Sequence, residues 1–87
     1  MEIEIYLDME QAAPEDYPQI RQRLMEWYNE AAEIRYDKAC FGQIVELDKP
    51  FSYRVDLGNV DPIGAIRDLH ARIYRFGAKS YIYFVPL

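Results

Sequence analysis

The chain has 87 residues, 51% of them hydrophobic and 15% aromatic, and its 15 acidic and 10 basic side chains leave a formal net charge of -5. This length supports one hydrophobic core, so we predict a single domain over residues 1–87. The apolar content is too high for a disordered segment. One cysteine, one histidine, two serines and no threonine exclude an intrachain disulfide framework and a structural zinc site.

The N-terminal segment does not have the pattern of a secretory leader. Met1 is followed by alternating acidic and apolar residues, whereas a signal peptide has a basic start and an unbroken apolar run. No stretch approaches the roughly 20 apolar residues of a membrane span. Together with the single cysteine, Cys40, these features predict a cytoplasmic protein with no membrane partner.

The first half of the chain predicts a strand and a long helix. Residues 1–8 alternate acidic or polar with apolar side chains, which is typical of a strand with one buried face. Pro14, followed by Glu15 and Asp16, suits the first turn of a helix that we expect to run to about Tyr36. Its apolar positions recur at steps of three and four and predict a face packed on a sheet: Tyr17, Ile20, Leu24, Trp27, Ala31 and Ile34.

The next segment predicts a β-hairpin. Cys40–Leu47 and Phe51–Leu57 are short apolar-rich runs joined by Asp48, Lys49 and Pro50, a connection of suitable length for a hairpin.

A second helix and a last strand follow. Asp61 and Pro62 match an N-cap and a first helical position, and Gly77 can end the helix in a left-handed conformation. Ser80–Val85 is the predicted final strand. The expected buried stripe of this helix is Ile63, Ile66, Leu69, Ile73 and Phe76.

The order of elements is strand, helix, strand, strand, helix, strand. This order predicts an α+β, ferredoxin-like βαββαβ fold with strand order 4-1-3-2: a four-stranded antiparallel sheet with both helices on one face. The alternation then assigns to the core Ile3, Ile5, Leu7, Phe51, Tyr53, Val55, Ile82 and Phe84. Many unrelated functions share this fold, so it does not identify the chemistry.

The uncovered face of this sheet is the predicted functional surface. Ser52 and Asp56 would lie on it, with Ile44 and Glu46 on the outermost strand. Tyrosine offers a large contact area with few rotatable bonds, so its tyrosines predict a protein-binding surface; as ordinary strand formers on a solvated sheet they would have no such role. The candidate partner-binding residues are Glu2, Glu4, Tyr6, Asp8, Arg54, Tyr81 and Tyr83.

The negative charge is concentrated near the N-terminus. Residues 1–37 carry ten acidic and three basic side chains, and residues 38–87 carry five acidic and seven basic. An acidic surface attracts basic partners, although a small domain also needs net charge for solubility. RRM domains stack RNA on the same sheet face, but their basic and aromatic motif is missing here, and Glu2, Glu4 and Asp8 would repel phosphates beside Tyr6. We therefore expect no direct nucleic-acid binding.

Residues that could carry catalysis are few and are not arranged in known motifs. His70 lies at the edge of the second helix's apolar stripe, as a packed histidine would. Ser52 and Ser80 lack a nucleophile elbow, and Cys40 at a strand start is typical of a small buried side chain. We predict no enzyme activity, no catalytic or metal-binding residue and no cofactor.

Two functional hypotheses follow. The first is a small acidic inhibitor, of the toxin-immunity or phage anti-defence kind, that binds a protein and occludes a basic surface on it. The second is a homodimer joined through the open sheet face that encloses a ligand pocket, either as a binding domain or as a small enzyme in which His70 or Arg54 contacts the ligand.

Overall fold

The computed structural model describes residues 1–31 and 42–86. These residues form an α+β fold with a four-stranded antiparallel sheet and two helices. In chain order the elements are β1 (Glu2–Asp8), a 3-10 turn (Pro14–Asp16), α1 (Tyr17–Glu26), a π-helical turn (Trp27–Ala31), β2 (Ile44–Glu46), β3 (Ser52–Asp56), α2 (Pro62–Ile73), a second 3-10 turn (Tyr74–Phe76) and β4 (Lys79–Phe84).

The strands lie in the order β2-β3-β1-β4, and every neighbouring pair is antiparallel. β1 is central: Ile5 lies opposite Tyr53 on β3 and opposite Ile82 on β4. Among the described strands, β2 and β4 lie at the edges of the sheet.

One hydrophobic cluster joins the sheet to both helices. It contains the alternate residues of β1 that the sequence assigned to the core, the inward residues of β3, and the apolar faces of α1 and α2. Both helices therefore pack against the face of the sheet that carries Ile3, Ile5 and Leu7. In the described part of the chain, the buried apolar residues are Ile3, Ile5, Leu7, Ala12, Ile20, Leu24, Trp27, Tyr53, Val55, Leu57, Ala65, Ile66, Leu69, Ile73 and Ala78.

The first helical segment starts where Pro14 predicted it. The backbone is helical from Pro14 to Ala31 in three consecutive segments, and Ile20, Leu24 and Trp27 of the predicted stripe are buried. The rest of the predicted helix, residues 32–36, lies outside the described residues, as do Ile34 and Cys40.

The predicted orientation of the β2 side chains is wrong. Ile44 lies opposite Val55, whose side chain is buried in the core, so Ile44 and Glu46 face the helices and Val45 lies on the open face. Alternation along a strand does not determine whether its odd-numbered or its even-numbered residues face the core, because a one-residue shift in strand pairing exchanges the two faces.

The signals at the ends of α2 are confirmed. The Asp61 side chain accepts a hydrogen bond from the Ile63 N–H at 3.1 Å, and Pro62 is the first residue of the helix. After the closing 3-10 turn, Gly77 has a φ of +79°, the left-handed conformation that glycine adopts without strain.

Of the predicted core residues whose side chains the structure describes, two are exposed. Ile63 is 64% exposed because it lies about 120° around the helix from Leu69, near the centre of the buried stripe. Phe84 is 56% exposed at the end of the edge strand β4, although it pairs with the buried Ile3.

Candidate functional site

The seven predicted partner-binding residues lie on the sheet face opposite the helices. Glu4 lies between Arg54 on β3 and Tyr83 on β4, and Tyr6 lies opposite Tyr81. Residues directly opposite one another on neighbouring strands share a face. The whole set, termed the tyrosine face below, is Glu2, Glu4, Tyr6, Asp8, Arg54, Tyr81 and Tyr83.

A hydrogen-bonded network centred on Glu4 holds the middle of the tyrosine face. Arg54 donates from Nη2 to Glu4 Oε1 at 2.8 Å, and the Tyr6 hydroxyl donates to Glu4 Oε2. The Arg54 hydrogen bond, followed by that from Tyr6, lowers the pKa of the Glu4 carboxyl below its ordinary value of 4.5. The hydrogen bond to Glu4 in turn raises the pKa of Tyr6 and of Arg54. Glu4 is therefore charged, and both its oxygens are hydrogen-bonded.

Three tyrosine rings, those of Tyr6, Tyr81 and Tyr83, form an aromatic surface beside this network. Tyr6 and Tyr83 make an edge-to-face contact with ring centroids 5.0 Å apart and an interplanar angle of 85°. Tyr81 and Tyr83 remain 49% and 58% exposed. Tyr6 thus packs against one edge of the Tyr83 ring, and about half of the surface of Tyr81 and Tyr83 is available for contact.

Lys49 is a neighbour of the tyrosine face that the strand alternation did not indicate. Together with Glu4, Tyr6, Tyr81 and Tyr83 it lines a shallow depression of about 460 Å³. The sequence could have indicated this position, because Lys49 lies in the β2–β3 connection shortly before Ser52, and Ser52 pairs with Tyr6 on the tyrosine face.

The tyrosine face is less acidic than the charge count of residues 1–37 suggests. Arg54 pairs with Glu4, and Lys79 lies opposite Asp8. Just beside the face, the N-terminal ammonium lies 3.7 Å from Asp56 Oδ1. The carboxylates are thus partly balanced by cations that come from distant parts of the chain.

His70 lies on the other side of the sheet. Its ring stacks on Tyr74 at a centroid distance of 5.3 Å, and Nδ1 is 3.5 Å from Ser80 Oγ. That distance is too long for a strong hydrogen bond. Over residues 1–31 and 42–86, no group of three or more His, Cys, Asp or Glu side chains is placed to hold a metal ion.

Comparisons with protein-family models, with curated proteins and with solved structures give no match. In the described part of the chain, neither helix has the length and apolar character needed to cross a membrane.

Proposed function

We propose that the protein is a non-enzymatic binding module that docks another protein on its tyrosine face. The observation that carries this proposal is the half-exposure of Tyr81 and Tyr83 on a sheet face whose opposite side packs against both helices. Tyrosine is enriched among the residues that dominate binding energy at interfaces. A ring already held by its neighbours loses little conformational freedom on binding.

The network around Glu4 supports the proposal by preorganising the surface. With Glu4 hydrogen-bonded to Arg54 and Tyr6, and Tyr6 in contact with Tyr83, the centre of the face does not have to rearrange to meet a partner. Preorganisation raises affinity because the ordering cost is met during folding.

For the partner we propose a basic protein surface, which the module covers as a small inhibitor of the toxin-immunity or anti-defence kind. The net charge of -5 favours encounter with basic partners. Exposed tyrosine rings accept arginine and lysine side chains through cation–π contacts. Glu2 and Asp8, at the two ends of β1, supply carboxylates beside the rings.

A ferredoxin-like single domain in the cytoplasm is the setting that we propose for this activity. The strand order, read from β4, is 4-1-3-2, and one helix lies between β1 and β2 and the other between β3 and β4 among the described elements. The single cysteine fits a reducing compartment.

Peptide selection tests the binding surface directly. A phage-displayed random peptide library is panned against the immobilised wild-type protein without counter-selection, and the selected peptides are then titrated against a variant carrying Tyr81→Ala and Tyr83→Ala. We expect the selected peptides to be rich in Arg and Lys and to bind the double variant at least about tenfold more weakly than the wild type.

Tyr74→Ala is the matched control. Tyr74 is 62% exposed and lies in the turn after α2, so this variant removes an exposed ring outside the tyrosine face. Peptides that bind all three proteins equally would refute the docking surface, and selected peptides without basic residues would refute the basic partner.

The second candidate is a homodimer in which two tyrosine faces enclose a ligand pocket. The depression of about 460 Å³ lined by Tyr6, Tyr81 and Tyr83 is the observation in its favour. Such a dimer would dissociate in the Tyr81→Ala, Tyr83→Ala variant during sedimentation, whereas a dimer formed elsewhere would persist.

A further inference from the structure

Within residues 1–31 and 42–86, one edge of the sheet has backbone groups with no strand beside them. Val85 donates its N–H to the Glu2 carbonyl at 3.2 Å, whereas Leu57 on the other side of β1 donates to the Met1 carbonyl at 2.9 Å. In an antiparallel pair, alternate residues direct their backbone groups to the same neighbour. Lys79, Tyr81 and Tyr83 therefore bond to β1, and the backbone groups of Ser80, Ile82 and Phe84 point away from the sheet.

This edge has few of the features that prevent strand pairing. β4 spans six residues, contains no proline or glycine, and has one charged residue, Lys79, at its start. The opposite edge strand, β2, has only three residues. Natural proteins usually shorten, charge or cover their edge strands, because a long apolar edge pairs with other chains.

A groove between β4 and α2 runs beside the same edge. It is an open groove of about 440 Å³, with Ile63, Ile66, Arg67 and Ile82 along its length and His70 and Ser80 at one end. Its lining is mostly apolar, and Ile63 is 64% exposed. Side chains of an added strand would enter this groove at every second position.

We propose that the groove and edge are occupied by a second copy of this chain, with the two β4 strands paired antiparallel about a twofold axis at Ile82. In this register Ser80 lies opposite the partner's Phe84, and Ile82 lies opposite the partner's Ile82. These are the residues whose backbone groups point outward, so each pair exchanges two N–H···O=C bonds.

The shape of the edge is self-complementary in this register. Phe84 is 56% exposed at one end of β4, and the groove is open beside His70 and Ser80 at the other end. The twofold axis places the partner's Phe84 at the end of the groove that carries His70. By symmetry, Phe84 of this chain lies at the same end of the partner's groove. An isologous interface requires such reciprocal contacts.

The charge of Lys79 at the start of β4 is compatible with this register as well. Lys79 begins the strand, and Val85, just beyond its end, is bonded to Glu2 on β1. Antiparallel pairing brings Lys79 beside the partner's Val85, on the sheet face that also carries the partner's Glu2. At each end of the interface Lys79 and the partner's Glu2 are thus two strand spacings apart, about 10 Å, and attract each other without forming an ion pair.

Sedimentation equilibrium and amide hydrogen exchange on the full chain test the dimer. We expect a species of twice the 10.3 kDa chain mass, with slower exchange of the Ser80, Ile82 and Phe84 amides as concentration rises. The Tyr81 and Tyr83 amides, already bonded to β1, should exchange at a rate independent of concentration. A monomer at millimolar concentration, or outward amides that stay unprotected, would overturn the proposal.

Phe84→Pro removes one outward N–H together with the exposed ring. Proline is tolerated at edge positions whose N–H faces solvent, so the fold should be retained, as circular dichroism would show. We expect at least a tenfold rise in the dimer dissociation constant, whereas Val45→Ala, which removes an exposed apolar side chain from the opposite edge strand β2, should change it less than threefold. Equal effects of the two variants would contradict edge pairing.

Cysteine cross-linking tests the register without relying on affinity. In a Cys40→Ala background, Tyr81→Cys and Tyr83→Cys chains are mixed and oxidised. Position 81 lies opposite the partner's position 83 in a pair with Cα atoms about 4.5 Å apart, within disulfide range. The mixture should give a cross-linked dimer and each variant alone very little; efficient self-linking of either variant would refute this register.

Discussion

Replacing Trp27 with phenylalanine tests how the two helices are held together. Trp27 is 1% exposed at the end of the α1 segment, and its indole Nε1–H donates to the Ala65 carbonyl of α2 at 2.8 Å. This side chain therefore links the helices through both packing and a buried hydrogen bond. Phenylalanine keeps an aromatic ring but has no donor.

The expected loss of stability follows from these two contributions. Removing roughly two buried carbons costs about 1.6 kcal/mol at about 0.8 kcal/mol for each buried methylene equivalent. Loss of the hydrogen bond adds about 0.5 to 1.5 kcal/mol. We therefore expect the free energy of unfolding to fall by about 2 to 3 kcal/mol.

Thermal unfolding followed by circular dichroism measures this change. For a domain of this size, about 1 kcal/mol corresponds to a shift of roughly 4–8 °C in Tm, so Trp27→Phe should lower Tm by about 10 to 20 °C. Tyr74→Ala, at a position 62% exposed, is the control and should shift Tm by no more than a few degrees. A Trp27→Phe protein with nearly unchanged Tm would refute the role of this contact in joining the helices.

Two further predictions concern a turn and the network around Glu4. Gly77→Ala should lower the free energy of unfolding in urea by at least about 2 kcal/mol, because a Cβ at φ +79° would lie 2.7 Å from the Gln11 carbonyl oxygen. Gly64→Ala, inside α2, is the control and should be neutral or stabilising. Equal effects of the two substitutions would show that the left-handed backbone and the contact with Gln11 are not the cause. Since Arg54 lowers the Glu4 pKa, the contribution of Glu4 to stability is complete above pH 4.5 and is lost as the pH falls through the folded pKa. NMR titration should place the Glu4 midpoint below 4.5 and move it upward in Arg54→Gln; an unmoved midpoint would contradict the assigned cause.

The features predicted correctly from sequence depend on residues close together in the chain. Alternation assigned Ile3 and Ile5 to the core, and the sequence around Asp61, Pro62 and Gly77 marked the ends of the second helical segment. Each of these signals has a local physical cause: the two-residue period of a strand, a side chain that caps the helix, or a residue that tolerates positive φ.

The errors arise where a non-local arrangement decides the outcome. Ile44 and Glu46 were assigned to the open face, but the register with β3 turns them towards the helices, and Arg21 of α1 pairs with Glu46 there. No local pattern specifies that register, because in a three-residue strand either Val45 or the pair Ile44 and Glu46 could face the helices.

The electrostatics of the tyrosine face show the same limitation. A charge count along the chain placed most carboxylates in the first 37 residues, yet Arg54 and Lys79, far away in sequence, lie opposite Glu4 and Asp8. Strand pairing determines which charges meet, so the surface is more balanced than the sequence count indicates.

β4 belongs to both proposed surfaces, and alternate residues of the strand contribute to each. Tyr81 and Tyr83 present their side chains to the tyrosine face while their backbone groups bond to β1. Ser80, Ile82 and Phe84 present side chains towards α2 and backbone groups to the free edge. A dimer through that edge would therefore leave both tyrosine faces exposed, side by side on one continuous sheet. A partner with two basic sites could then bind both subunits, and its affinity would depend on the edge even though it touches only the tyrosines.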